Sequence, residues 1–190
     1  MEYHQPRRVL PFRWIFPVGQ LLLCFLLVSI TMLPFGVVSW SLRARVFEFI
    51  RSLNLPGGLV QLPIMIFRAD KMEWSPPNVD SQLWRAMTWP VLGMLFWWIA
   101  GRAAEALTAI KYRQVTPKIG WTETVVGFLL TVVGATFFVG FLVFSFYESD
   151  RAGMIRLAAA GGLWALLGSL SVVARFRQWR LRKIQSRASG

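Results

Sequence analysis

The chain of 190 residues is 55% hydrophobic and 15% aromatic, yet only 16% of it is charged. An average soluble domain is nearer one quarter charged, so a water-soluble fold of this length would have too much apolar surface to hide. The 21 Lys and Arg against 9 Asp and Glu give a formal net charge of +12. Most of these basic residues flank apolar runs, where they read as orientation signals and headgroup contacts rather than as a nucleic-acid surface.

The first apolar run, VGQLLLCFLLVSITMLPFGVVSW at 18–40, follows Arg7, Arg8 and Arg13. It exceeds the roughly 7–15 residues of a signal-peptide core, so it reads as a retained signal-anchor span, kinked near Pro34 with Gly36 close by. In SLRARVFEFIRSL, which comes next, Leu42, Val46, Phe49, Ile50 and Leu53 recur with helical spacing, while Arg43, Glu48, Arg51 and Ser52 take other faces. This is an amphipathic helix, placed either along the membrane surface or over the outer mouth of a bundle. Pro56, Gly57 and Gly58 then break it, and the apolar GLVQLPIMIF is too short to span. Pro63 argues against a central strand there. This piece reads as re-entrant, as a lid, or as a docking surface, and SPPNVD after it as a turn or loop.

The second run, AMTWPVLGMLFWWIAG at 86–101, is short for a crossing. The strong helix formers of RAAEALTAI extend it to about 110. A third span follows near 122–146 and a fourth near 154–174, whose apolar run at 157–174 is started a turn earlier by GMIR, before a basic tail over 175–190 that continues the fourth helix. None alternates in the manner of a β-barrel strand. The expected fold is therefore an all-α, polytopic membrane protein with residues 1–190 as a single membrane domain. Its core is a four-transmembrane-helix bundle, with an extracytoplasmic segment at 41–85 that holds the amphipathic interfacial helix between helices 1 and 2.

Orientation follows from the basic residues. Three Lys or Arg precede the first span, four (Arg102, Lys111, Arg113, Lys118) lie around the second connection, and six (Arg175, Arg177, Arg180, Arg182, Lys183, Arg187) occupy the tail. The opposite side carries eight, so both termini are expected in the cytoplasm and the chain in a cell membrane. Trp14, Trp40, Trp84, Trp89 and Trp121 stand near span ends, as interfacial indoles do; Trp97, Trp98 and Trp164 lie deeper and should face partner helices.

The candidate site is thin. Arg102 and Glu105 share a helix face at i,i+3 and are expected to pair, either structurally or as part of an ion, proton or substrate path. Glu123 opens the third span, where a carboxylate suits the helix dipole, and it could approach Glu105. Gln20 is the one strongly polar residue of the first span, fit for an interhelical hydrogen bond; Cys24 reads as a small buried residue and cannot form an intramolecular disulfide. Gly161, Ala165 and Ser169 form a small-residue face on the fourth span, with Gly127 and Gly134 on the third. Arg175, Arg177, Arg180, Arg182 and Lys183 are candidates for contact with anionic lipid.

The only histidine, His4, stands near the N-terminus, and no P-loop, dinucleotide fingerprint, HExxH or GxSxG is present. No cofactor or metal is expected. The leading expectation is a non-enzymatic integral membrane component, an accessory or interaction subunit whose partners are lipids, another membrane protein or copies of itself. The alternative is a small oligomeric transporter or channel with a polar path near Arg102, Glu105 and Glu123. A weaker third is a membrane enzyme acting on a lipid-borne substrate at the interface with Arg and Glu.

Overall fold

A computed structural model describes residues 10–33, 39–60, 79–112 and 117–188, and all regular structure among them is helical. In chain order the helices are α1 (Phe12–Thr31), α2 (Trp40–Leu53), α3 (Val79–Lys111), α4 (Trp121–Phe144) and α5 (Arg151–Ala188). A short helical stretch at 55–60 follows α2. Pro34, Gly36, Pro63, Arg113, His4 and the flank with Arg7 and Arg8 fall outside the described residues, as do the side chains of Trp40 and Trp84.

Among the described residues three helices, α1, α4 and α5, are long and apolar enough to cross a membrane. At 1.5 Å per residue, the 20 residues of α1 cover about 30 Å, the thickness of a hydrocarbon core. α1 begins at Phe12 rather than near 18 and ends at Thr31, well short of Trp40, which instead opens the next helix. Its early start is stabilised by packing, because the Phe12 and Phe16 rings meet at a tilt (centroids 5.7 Å apart) and Phe16 meets Trp97 of α3 edge-on at 6.3 Å. Its end is fixed by Thr31, whose hydroxyl donates to the Val28 carbonyl at 2.7 Å, and by the Arg43 guanidinium, which donates to the Leu33 carbonyl.

α3 has 33 residues, about 50 Å of helix, and contains the whole of the expected second span. It has no stretch as apolar as those of the other three, because Pro90, four tryptophans, Arg102 and Glu105 dilute its aliphatic content. α5, with 38 residues, runs about 57 Å, so the basic tail is a rigid continuation of the last span. α4 starts cleanly because the Glu123 carboxylate accepts the Gly120 backbone N–H at 2.7 Å, the return half of a capping box.

The helices associate as two pairs. α4 and α5 form a hairpin through small residues. A Cβ added to Gly134 would lie 2.6 Å from the Gly161 carbonyl, and one on Gly168 would lie 2.5 Å from that of Gly127, so the two backbones touch along a row that only glycine permits. α1 lies against α3, and α3 bridges to α5 through aromatic rings: Trp97 and Phe96 both meet Trp164 edge-on, at 5.0 and 6.5 Å.

α2 packs on the bundle through one face. It turns back along the second half of α1, where Phe47 and Ile50 pack on Cys24 and Val28 with Val46, Leu53 and Leu27 around them. Ile50 is fully buried, whereas Leu42 and Phe49, expected on the same apolar face, are 44% and 51% exposed. The helix is thus wedged by a narrower stripe, with Phe47 in place of Phe49, and its remaining apolar groups point outward. Its far side reaches α5, where Glu48 and Arg156 pair at 3.0 Å.

Candidate functional site

Arg102 and Glu105 of α3 do not pair with each other. Glu105, 7% exposed, turns toward α1, where its Oε1 accepts the Arg13 backbone N–H at 3.1 Å and its Oε2 lies 3.8 Å from the Arg13 Nε. Arg102 turns toward α4: its Nη1 is 2.6 Å from Glu123 Oε1, and its Nη2 donates to the Lys118 carbonyl at 2.7 Å. The Trp98 ring sits beneath its guanidinium, 5.0 Å to the centroid. An i,i+3 spacing leaves two side chains about 60° apart around a helix, enough for each to serve a different neighbour when helices flank it on both sides. Glu105 and Glu123 accordingly take separate basic partners.

The loop before α4 is clamped from the opposite side by α5. Arg175 donates to the Ile119 carbonyl at 2.7 Å, and Gln178 donates to the Pro117 carbonyl at 2.7 Å while accepting the Ile119 N–H at 3.2 Å. Below these bonds Ile119, Ala106 and Ala174 close a small core, each at most 1% exposed. Backbone groups of a loop near the hydrocarbon boundary need such partners, since lipid supplies none. Arg102, Arg175 and Gln178 together provide them.

A second polar knot lies along the middle of α1. Gln20 donates from Nε2 to the Asn54 Oδ1 at 2.8 Å and approaches the Pro90 carbonyl at 3.4 Å and the Cys24 Sγ at 3.6 Å. Asn54, fully buried, caps α2 and donates from Nδ2 to the Ile50 carbonyl at 2.9 Å and to Cys24 Sγ at 3.5 Å. Gly93 of α3 makes room for it: a Cβ there would stand 2.5 Å from Asn54 Oδ1. Gln20 Oε1 has no hydrogen-bond partner among the described residues. The knot joins α1, the end of α2 and α3 at one level.

Sequence reasoning named Gln20 and Cys24 but not Asn54, Arg13 or Gln178. Asn54 carries only the mark of a helix-terminating residue, and Gln178 is hidden in a basic run. Trp89, expected near a span end, is instead 8% exposed and lies beneath Gly58, with the Arg51 guanidinium 5.3 Å from its ring. Trp14 and Trp121 are 57% and 72% exposed. On α5, the row facing α4 is Gly161, Ala165, Gly168 and Ser171, whereas the Ser169 hydroxyl bonds back to its own helix at Leu166. Of the tail cations, Arg180 lies over Phe176 (5.4 Å) and Lys183 over Trp179 (5.2 Å), both on the exposed surface with Arg177 and Arg182.

No cluster of three or more His, Cys, Asp or Glu that could hold a metal occurs among the described residues. Chemically, the two knots do one thing: they satisfy polar groups between helices. No protein family matches this chain, and neither a curated protein nor a solved structure is detectably similar to it, so no relative's role can be carried onto these residues.

Proposed function

We propose that this protein is a non-enzymatic, four-span component of a cell membrane, with both termini in the cytoplasm, that acts as an accessory or interaction subunit. In this reading α3 is the fourth span, buried among its neighbours, and α2 lies on the extracytoplasmic side. The tail of α5 then carries the last span past the cytoplasmic boundary, with Arg175, Arg177, Arg180, Arg182 and Lys183 as candidates for contact with anionic headgroups.

The observation that carries the reading is how the polar residues are used. Arg102, Glu105, Glu123, Gln20 and Asn54 all bond to other helices, to loop backbone or to their own caps, so they are spent on cohesion instead of lining a path. Meanwhile only 17% of the α4 span is buried inside the protein, and Phe128, Leu129, Val132, Val139 and Val143 leave a long apolar face uncovered. A subunit needs such a surface; a transporter needs polar groups facing inward at depth.

The test is a mild-detergent purification through a C-terminal tag, followed by native mass spectrometry. A stoichiometric partner that dissociates on combined Leu129→Ala, Val132→Ala and Val139→Ala substitution supports the reading. A homo-oligomer that conducts ions across liposomes, with flux abolished by Glu105→Gln, would overturn it in favour of a transporter.

A further inference from the structure

Two adjoining hollows lie between α2 and the first part of α5. One, of about 230 Å³, has a charged rim of Glu48, Arg51, Asp150 and Arg156, with Trp89 at its back. The other, of about 240 Å³, is walled by Phe49, Leu53, Ala159, Ala160 and Leu163. Ser52 and Arg156 line both, so the charged rim opens directly into the apolar trough.

Among the described residues the rim is balanced, with two guanidiniums and two carboxylates. Glu48 and Arg156 are 3.0 Å apart and about half exposed, at 52% and 46%, so both remain within reach of a further group. Arg51 lies over Trp89, and Asp150 accepts the Gly153 N–H at 3.0 Å at the mouth of α5. The trough exists because Ala159 and Ala160 are small where α2 leans on α5; an ordinary lipid-facing helix surface is convex. From Asp150 to Leu163 the site runs about 20 Å along the α5 axis, more than half of a single leaflet's depth and headgroup together.

A simple anion would meet two carboxylates at this rim. A wholly apolar occupant would strip water from four charges without replacing it. We propose that the site holds one glycerophospholipid with a zwitterionic headgroup. Its phosphate sits between Arg51 and Arg156, its ammonium faces Glu48 and Asp150, and one acyl chain lies in the trough over Ala159, Ala160 and Leu163.

The experiment uses the full-length protein, delipidated in mild detergent and offered phosphatidylethanolamine or phosphatidylglycerol with identical chains, with native mass spectrometry as readout. One phosphatidylethanolamine is expected to stay bound, with about fivefold preference over phosphatidylglycerol. Ala159→Trp, at an exposed position, fills the trough and should lower that retention by about fivefold or more. Combined Glu48→Gln and Arg156→Gln adds no bulk and should erase the headgroup preference, so it tests the site even if the tryptophan variant misfolds. Equal retention of the two lipids by the unmodified protein, or retention unchanged by both variants, would overturn the proposal.

Discussion

The two halves of this molecule hold together by different physics. The α4–α5 hairpin relies on proximity: glycine faces glycine, backbones touch, and dispersion acts over many short contacts. The α1–α2–α3 half relies on buried hydrogen bonds, with Gln20 and Asn54 at mid-helix and Arg13 and Glu105 at the end. In lipid the hydrophobic effect does not draw helices together, so these are the two routes left. The hairpin leans on the first, while the α1–α2–α3 half adds the second to its own close contact at Gly101, where an added Cβ would run into the Phe12 carbonyl. The difference predicts contrasting tolerance. Bulk should break the hairpin, and loss of a polar atom should break the other half.

The largest effect is expected from bulk in the hairpin. Gly134→Leu should destabilise the protein by about 3 kcal/mol, read as a lowered midpoint in detergent-titrated unfolding, because its side chain would meet the Gly161 and Ala165 backbone. Gly140→Leu, in the same helix, meets nothing within 4 Å and should stay within about 0.5 kcal/mol of the parent. Equal losses at both sites would show that backbone contact is not what holds the hairpin.

Next comes the mid-helix knot. Asn54→Leu should cost about 2 kcal/mol, since it removes the shortest hydrogen bond of the buried Gln20 amide and leaves it only the longer contacts to Pro90 and Cys24. A double-mutant cycle with Gln20→Leu should return a coupling near 1 kcal/mol. Strict additivity would mean that the bond contributes nothing.

At the charged end the sharper quantity is again coupling. Arg102→Ala with Glu123→Ala should show about 1 kcal/mol of interaction energy, whereas Arg102→Ala with Glu105→Ala should add within about 0.5 kcal/mol. The reverse pattern would restore the i,i+3 pair that the α3 sequence suggests. The smallest change is expected at the half-exposed Glu48–Arg156 pair, where Arg156→Gln should shift stability by less than about 1 kcal/mol. Its consequence should appear in lipid retention instead.

Much of this architecture could be read in advance. The helical class, the apolar runs behind α1, α4 and α5, the helix within 42–53 and the helical extension through Ala103 to Ile110 all follow from apolar content and helix-forming residues. Helix ends were less legible. Phe12 to Pro17 look like a flank in sequence, and they become helix because Phe12 and Phe16 have α3 to pack on. The candidate site was legible as a set of residues and not as a set of partners: Arg102, Glu105, Glu123 and Gln20 stand out in apolar surroundings, but Arg13, Asn54 and Gln178 look like ordinary flanking or capping residues.

What the sequence determined by itself is local: 55% apolar composition, stretches long enough to cross lipid, and charges gathered at their ends. Only the tertiary structure decided that α2 folds back along α1, that Asn54 lies between Gln20 and Gly93, and that Arg102 and Glu105 face opposite neighbours. The physical reason is that periodicity specifies which face of a helix is apolar, whereas the choice of neighbour for each polar group depends on which other helix can approach closely enough to satisfy it. That approach is set by small residues such as Gly93, Gly134 and Gly161, which mark where two helices can meet without naming the pair.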